Sequence, residues 1–157
     1  MRAGEMMAIG AALMLAVGLQ PGAATAEDMV DPTTLTRPGT PNDWLVCPPG
    51  ACAAEASEPA PVYEVSPQQL YEAWLQLLLA APRTSILAAD PARLILNAED
   101  RTLVFRFVDS IAIRVLPAAD GGVTFAAYSH SNTGYWDTGT NRRRLQAWIG
   151  QLGEMLK

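Results

Sequence analysis

The sequence predicts an α+β domain: an antiparallel β-meander of four to five strands with two helices packed on one face, preceded by an extended Pro-rich arm. Three observations predict it. A capped stretch of helical period starts at Ser66, period-two segments follow Pro82, and a second stripe of helical period closes the chain. With 157 residues, 50% hydrophobic and 17% charged, the chain has the profile of one ordinary domain.

The first segment reads as an address. Arg2 precedes an apolar run from Met6 to Leu19, then come Pro21 and Gly22, then Ala24-Thr25-Ala26 in the small-x-small cleavage form. The run is shorter than the roughly 20 residues a membrane span needs, so residues 1–26 are expected to be a signal peptide cut near Ala26. The product is then periplasmic or secreted, has no transmembrane anchor, and keeps roughly 130 residues, enough for a core that needs few staples. In an oxidising compartment Cys47 and Cys52 are expected to pair. Pro48-Pro49-Gly50 turns the chain between them, and closing so short a loop stabilises by on the order of 2 kcal/mol. The spacing is not Cys-x-x-Cys, and no ligand partners lie nearby for a metal or redox role.

Residues 27–61 form the arm. Seven of the 12 prolines lie between Asp31 and Pro61, which excludes regular helix and central strand there. Trp44, Leu45 and Val46 give the arm one apolar anchor against the domain of residues 62–157. Val62 to Val65 fits a short strand. Ser66-Pro67-Gln68-Gln69 carries a cap, a proline at the first helical position and the glutamine of a capping box. Leu70, Trp74, Leu77, Leu78 and Ala81 follow on one face until Pro82.

Beyond Pro82 the alternating rows are Leu94, Leu96, Ala98; Leu103, Phe105, Phe107; Ile111, Ile113, Val115; and Val123, Phe125, Ala127. Asp100-Arg101 and Asp120-Gly121-Gly122 supply turns. Residues 102–116 fit either one bent strand or a hairpin closing near Asp109. A last helix beginning near Asn141 carries Leu145, Trp148, Ile149, Leu152 and Leu156 on one face.

The pattern breaks in one informative way. Asp109 is the exception in its apolar row, and Ser129 and Ser131 continue the row of Phe125 and Ala127, so parity turns all three toward the core. At about 100° per residue Asn141 falls within about 20° of the last helix's apolar centre, Arg142 and Arg144 flank it, and Arg143 points away. Three arginines at the positive end of a helix dipole call for nearby negative charge, and Asp137 and Asp109 are the candidates. One reading is a buried ion-pair network locking the last helix to the sheet. The other is an anion pocket, in which Gly134 and Gly139 admit backbone amides and Arg142 or Arg144 grips the ligand.

Several chemistries are excluded. A net charge of −5 opposes the broad basic surface of a nucleic-acid binder. One histidine and two cysteines leave no nitrogen–sulfur metal set, the sole lysine is Lys157, and no cofactor motif is present. Gly134 and Gly139 have P-loop spacing, but Thr140 and Asn141 stand where lysine and Ser/Thr are needed. Ser129-His130-Ser131 with Asp137 imitates a hydrolase triad, yet strand alternation turns His130 away from both serines. Tyr135 and Trp136 are expected to cap the sheet edge, or alternatively to stack on a ligand ring.

These same residues carry a family resemblance. Arg37-Pro38-Gly39-Thr40-Pro41-Asn42, Phe107-Val108-Asp109 and Ser129-His130-Ser131-Asn132-Thr133-Gly134-Tyr135-Trp136-Asp137-Thr138-Gly139-Thr140-Asn141-Arg142-Arg143-Arg144 resemble the bacterial domain-of-unknown-function family 1499. The chain departs at His130, often arginine in that family, and at Ser110, where a second acidic residue is common. The resemblance implies a shared polar core and no established activity, cofactor or partner. The reading that results is an exported, non-enzymatic envelope module for a small anionic or amphiphilic ligand or a protein partner. Its rivals are a structural protein and a serine hydrolase.

Overall fold

The structure, a computed structural model, describes residues 28–157; the expected signal peptide lies outside the described residues. Its elements are β1 (Asp43–Val46), α1 (Pro67–Ala80), β2 (Thr84–Asp90), β3 (Ile95–Arg101), β4 (Val108–Pro117), β5 (Val123–Ser131) and α2 (Thr140–Met155). The five strands make one antiparallel sheet in the order β1-β5-β4-β3-β2. Both helices pack on one face of it, the α+β architecture expected from the sequence.

Helix α1 starts where its capping box places it. The Ser66 hydroxyl accepts from the Gln69 amide at 3.1 Å, and the Gln69 side chain accepts from the Ser66 amide at 2.8 Å. Its buried face of Leu70, Trp74, Leu77 and Leu78 meets Leu145, Trp148 and Leu152 of α2 over Leu96, Ile111, Ile113 and Phe125. Trp74 stands edge-on to Phe125, with ring centroids 5.0 Å apart.

The arm does more than the sequence suggested. Asp43–Val46 is an edge strand, in register with β5 from Asp43 opposite His130 to Val46 opposite Ala127. Pro41 and Pro48 flank it, and an edge tolerates the missing donors that a central strand would not. The rest of the arm covers the sheet's second face. There Leu45, Cys47, Ala112, Ala126 and Tyr128 form a separate cluster beneath Leu35, Cys52 and Ala54, with Cys47 and Cys52 joined as a disulfide. Polar ties hold this layer. The Val30 amide and carbonyl bond the Asn97 side chain at 2.7 and 2.8 Å, Asp31 pairs with Arg114, and Arg37 donates twice to Asp43.

Three local expectations need correction, and one strand is additional. Only Tyr63 of the Val62–Val65 segment pairs with the sheet, through two backbone bonds to Val123. The half-exposed edge strand β2 was not anticipated. Asp100 and Arg101 end β3 instead of turning. Residues 102–107 are a loop, so residues 102–116 form neither a bent strand nor a hairpin closing near Asp109. The loop closes because Thr102 bonds Phe107 twice, through its amide and its hydroxyl, each at 2.9 Å, while Arg106 takes a left-handed φ of 54°. Leu103 and Phe105 therefore leave the core row and stand 75% and 74% exposed.

The β4–β5 turn at Asp120-Gly121-Gly122 is as expected, and Gly122 is constrained twice. Its φ is +75°, and a Cβ there would lie 2.8 Å from the Tyr63 carbonyl oxygen. Gly150 in α2 faces open space. Gly122→Ala should therefore cost about 1–3 kcal/mol, whereas Gly150→Ala should stabilise by roughly 0.5–1 kcal/mol. Urea unfolding of the two variants checks the opposite signs.

On the second face the Tyr128 hydroxyl donates to Asp43 at 2.9 Å. Burial first, then this bond to a carboxylate, push the phenol well above its usual range. A raised pKa favours the neutral form in the fold, so its stabilisation is full below pH 10, the ordinary phenol value, and is lost as pH rises beyond it. Burial raises Tyr63 and Tyr71 in the same direction. Unfolding midpoints measured from pH 9 to 11.5 should fall, and Tyr128→Phe should flatten that fall without abolishing it.

Candidate functional site

Strand alternation puts Asp109 on the helix-facing side of β4, and the sheet register extends the row. Asp100 of β3 stands opposite Asp109, and Ser131 of β5 stands on its other side. Ser129 lies two residues earlier on the same face. Helix α2 then lowers Asn141 and Arg144 onto this row. Arg144 Nη2 donates to Asp109 at 2.6 Å and to Asp100 at 3.0 Å, while Nη1 donates to the Ser129 hydroxyl at 2.9 Å and the Asn141 amide oxygen at 2.8 Å. One guanidinium thus joins three strands and its own helix, with Arg144, Asp100 and Asp109 all at 8% side-chain exposure or less.

Asn141 is the second hub. Its fully buried amide nitrogen donates to the Ser131 hydroxyl at 2.8 Å, to Asp137 at 2.8 Å and to the Asn42 carbonyl at 2.9 Å, while its oxygen accepts from Ser129 at 2.5 Å. Asp137 caps α2 from upstream: its oxygens accept from the Gly139 and Asn141 amides, each at 2.8 Å. Here is the negative charge that the arginine-rich helix start requires. Asn42, on the arm, donates to the Ser131 and Gly134 carbonyls at 3.1 and 2.7 Å and so fixes the loop that carries Tyr135 and Trp136.

Of the residues picked out from the sequence, Asp109, Ser129, Ser131, Asp137, Asn141 and Arg144 meet in one network. Gly134 and Gly139 enter through backbone groups. Arg142 does not join: its guanidinium lies over the Trp44 ring, 5.2 Å from the centroid, and lines a different cleft. The arginines therefore do not converge on one anion pocket. Asp100 and Asn42 were missed. Asp100 continues the alternation of Leu96 and Ala98, a signal masked by reading Asp100-Arg101 as a turn. Asn42 closes the arm motif, but nothing local announces its partners 89 and 92 residues away.

The hydrolase arrangement is absent from the serines. His130 lies on the opposite face, stacked on Tyr128 at 6.0 Å between centroids. Ser129 is fully buried, with its proton on Asn141 and its oxygen under Arg144. Among the described residues, no group of three or more His, Cys, Asp or Glu could hold a metal ion, and no helix is long and apolar enough to cross a membrane.

Beside the network opens a cleft of about 540 Å³. Asp100, Asp109, Ser131 and Arg144 line its inner side, and Leu103, Val104, Phe105, Phe107 and Trp136 its outer walls. Trp136 is 71% exposed and Tyr135 58%, so neither caps the sheet edge. Asp109 is 0% exposed, and its Oδ1 has no hydrogen-bond partner among the described residues.

The fold and this network define a class: a two-layered α+β domain with a covering arm, whose last helix is locked to an antiparallel sheet by a buried arginine–carboxylate cluster. The chain belongs to the family described as Protein of unknown function (DUF1499), whose model matches residues 26–152 and so includes the arm motif, Asp109 and the Ser129–Arg144 segment. No curated protein matches it.

Removing Arg144 strands two buried carboxylates. Arg144→Ala should lower stability by about 3–5 kcal/mol. Arg142→Ala, which loses only a partly exposed contact with an aromatic ring, should cost about 1 kcal/mol or less. Denaturant unfolding of the two variants gives the comparison.

Proposed function

We propose that the protein is an exported, non-enzymatic module of the bacterial envelope that binds a small amphiphilic molecule in the cleft beside Asp109. One observation carries this reading: Asp109, buried and with one carboxylate oxygen unpartnered among the described residues, lines a cleft whose outer walls are exposed aliphatic and aromatic side chains. Buried acceptors are normally satisfied, and apolar patches of this kind mark sites of contact. A ligand with a polar head and an apolar body answers both features. Export is supported by the leader pattern of residues 1–26 and by the Cys47–Cys52 bond.

A second reading, a purely structural protein, is favoured by the saturation of Ser129 and Asn141 within the network. The two readings differ over the cleft. Titration with the neutral fluorescent amphiphile N-phenyl-1-naphthylamine should show saturable binding at one site, weakened about tenfold by Trp136→Ala or Phe105→Ser, since removing one well-packed aromatic is worth that much. The absence of saturable binding, or binding indifferent to both substitutions, would favour the structural reading.

A further inference from the structure

The inner side of the cleft specifies more than polarity. Among the described residues Arg144 is the one guanidinium bonded to both Asp100 and Asp109, and it sits on an oxygen of each. The second oxygen of Asp100 accepts from the Thr84 hydroxyl at 2.9 Å. The second oxygen of Asp109 accepts from none of the described residues. Two carboxylates thus share one cation, and the unmet demand falls on a single acceptor atom of a cleft-lining residue. Counting Asp137 and Arg83, three carboxylates line the cleft against two guanidinium groups.

Resting on the amphiphile-binding reading above, we infer that the ligand's head group is a protonated primary or secondary amine. An ammonium N–H supplies both what Oδ1 lacks, a donor, and what the paired carboxylates lack, a second positive charge. A hydroxyl head supplies the donor without the charge. A quaternary ammonium supplies the charge without the donor. A carboxylate or phosphate head brings a third negative charge against two buried ones. The walls agree with this choice, because Phe105 and Phe107, with centroids 5.4 Å apart, and Trp136 offer ring faces that attract cations.

Isothermal titration of the purified protein at pH 7 with octylamine, 1-octanol, octyltrimethylammonium and octanoate separates the possibilities at constant chain length. Octylamine should bind about tenfold or more tighter than octanol and than octyltrimethylammonium, with octanoate weakest, the range a charge-assisted hydrogen bond supplies. Trp136→Ala should weaken all four ligands alike, whereas Asp109→Asn should erase the preference for the amine. Because Asp109→Asn also removes a partner of Arg144, the ligand series on the unaltered protein decides. Octanol or octanoate binding as tightly as octylamine, with the same dependence on Trp136, overturns the amine assignment and leaves the cleft reading standing. Failure of all four ligands to bind overturns both.

Discussion

Arg144 has to satisfy two carboxylates from neighbouring strands, and much of the domain follows from where that requirement is met. A buried carboxylate pair is costly in an apolar interior, and two facing Asp side chains on adjacent strands would repel one another without a cation between them. The guanidinium is the suitable cation because its flat fork reaches Asp100 and Asp109 through one nitrogen while its other nitrogen holds Ser129 and Asn141. The position of the fork fixes the start of α2. That start in turn fixes the Asp137 cap, the 132–139 loop and, through Asn42, the edge strand contributed by the arm. A residue on the last helix thus ties together segments from both ends of the described chain.

The sheet is covered on both faces, by helices on one and by the arm on the other, which explains why β5 is buried at nearly every position instead of alternating. The cleft opens where this double cover stops, beyond the β3–β4 loop and beside the start of α2. Most of its apolar walls come from the loop in which the chain reverses at Arg106, and Trp136 of the 132–139 loop completes them. The core-facing row of the sheet therefore ends in charged and hydroxyl groups at the same edge where hydrophobic side chains turn outward, giving one depression with a polar interior and an apolar rim.

How far the sequence disclosed this depended on the range of the interactions. The capping box of α1 and the turn at Asp120-Gly121-Gly122 are local and were legible. So was the orientation of Asp109, Ser129, Ser131 and Asn141, because strand and helix periods convert position into direction. The β3–β4 loop was misread because Leu103, Phe105 and Phe107 alternate as a strand would, and alternation cannot report whether a partner strand lies alongside. Strand β1 was seen only as an apolar anchor, since its pairing with β5 spans more than 80 residues. Asp100 was lost to a turn signal, and with it went the knowledge that Arg144 is already committed, which is why an anion pocket looked attractive from sequence alone.

Arg144 and Asp109 act as one coupled unit holding α2 to the sheet. A double-mutant cycle with Arg144→Met, Asp109→Leu and the combined variant, read by urea unfolding, measures that coupling. The expected coupling is about 2 kcal/mol or more, with the double variant folded and less impaired than the sum of its parts, because both charges leave together. Additive effects within about 0.5 kcal/mol would mean that the two groups merely sit near one another and that other contacts hold α2 to the sheet.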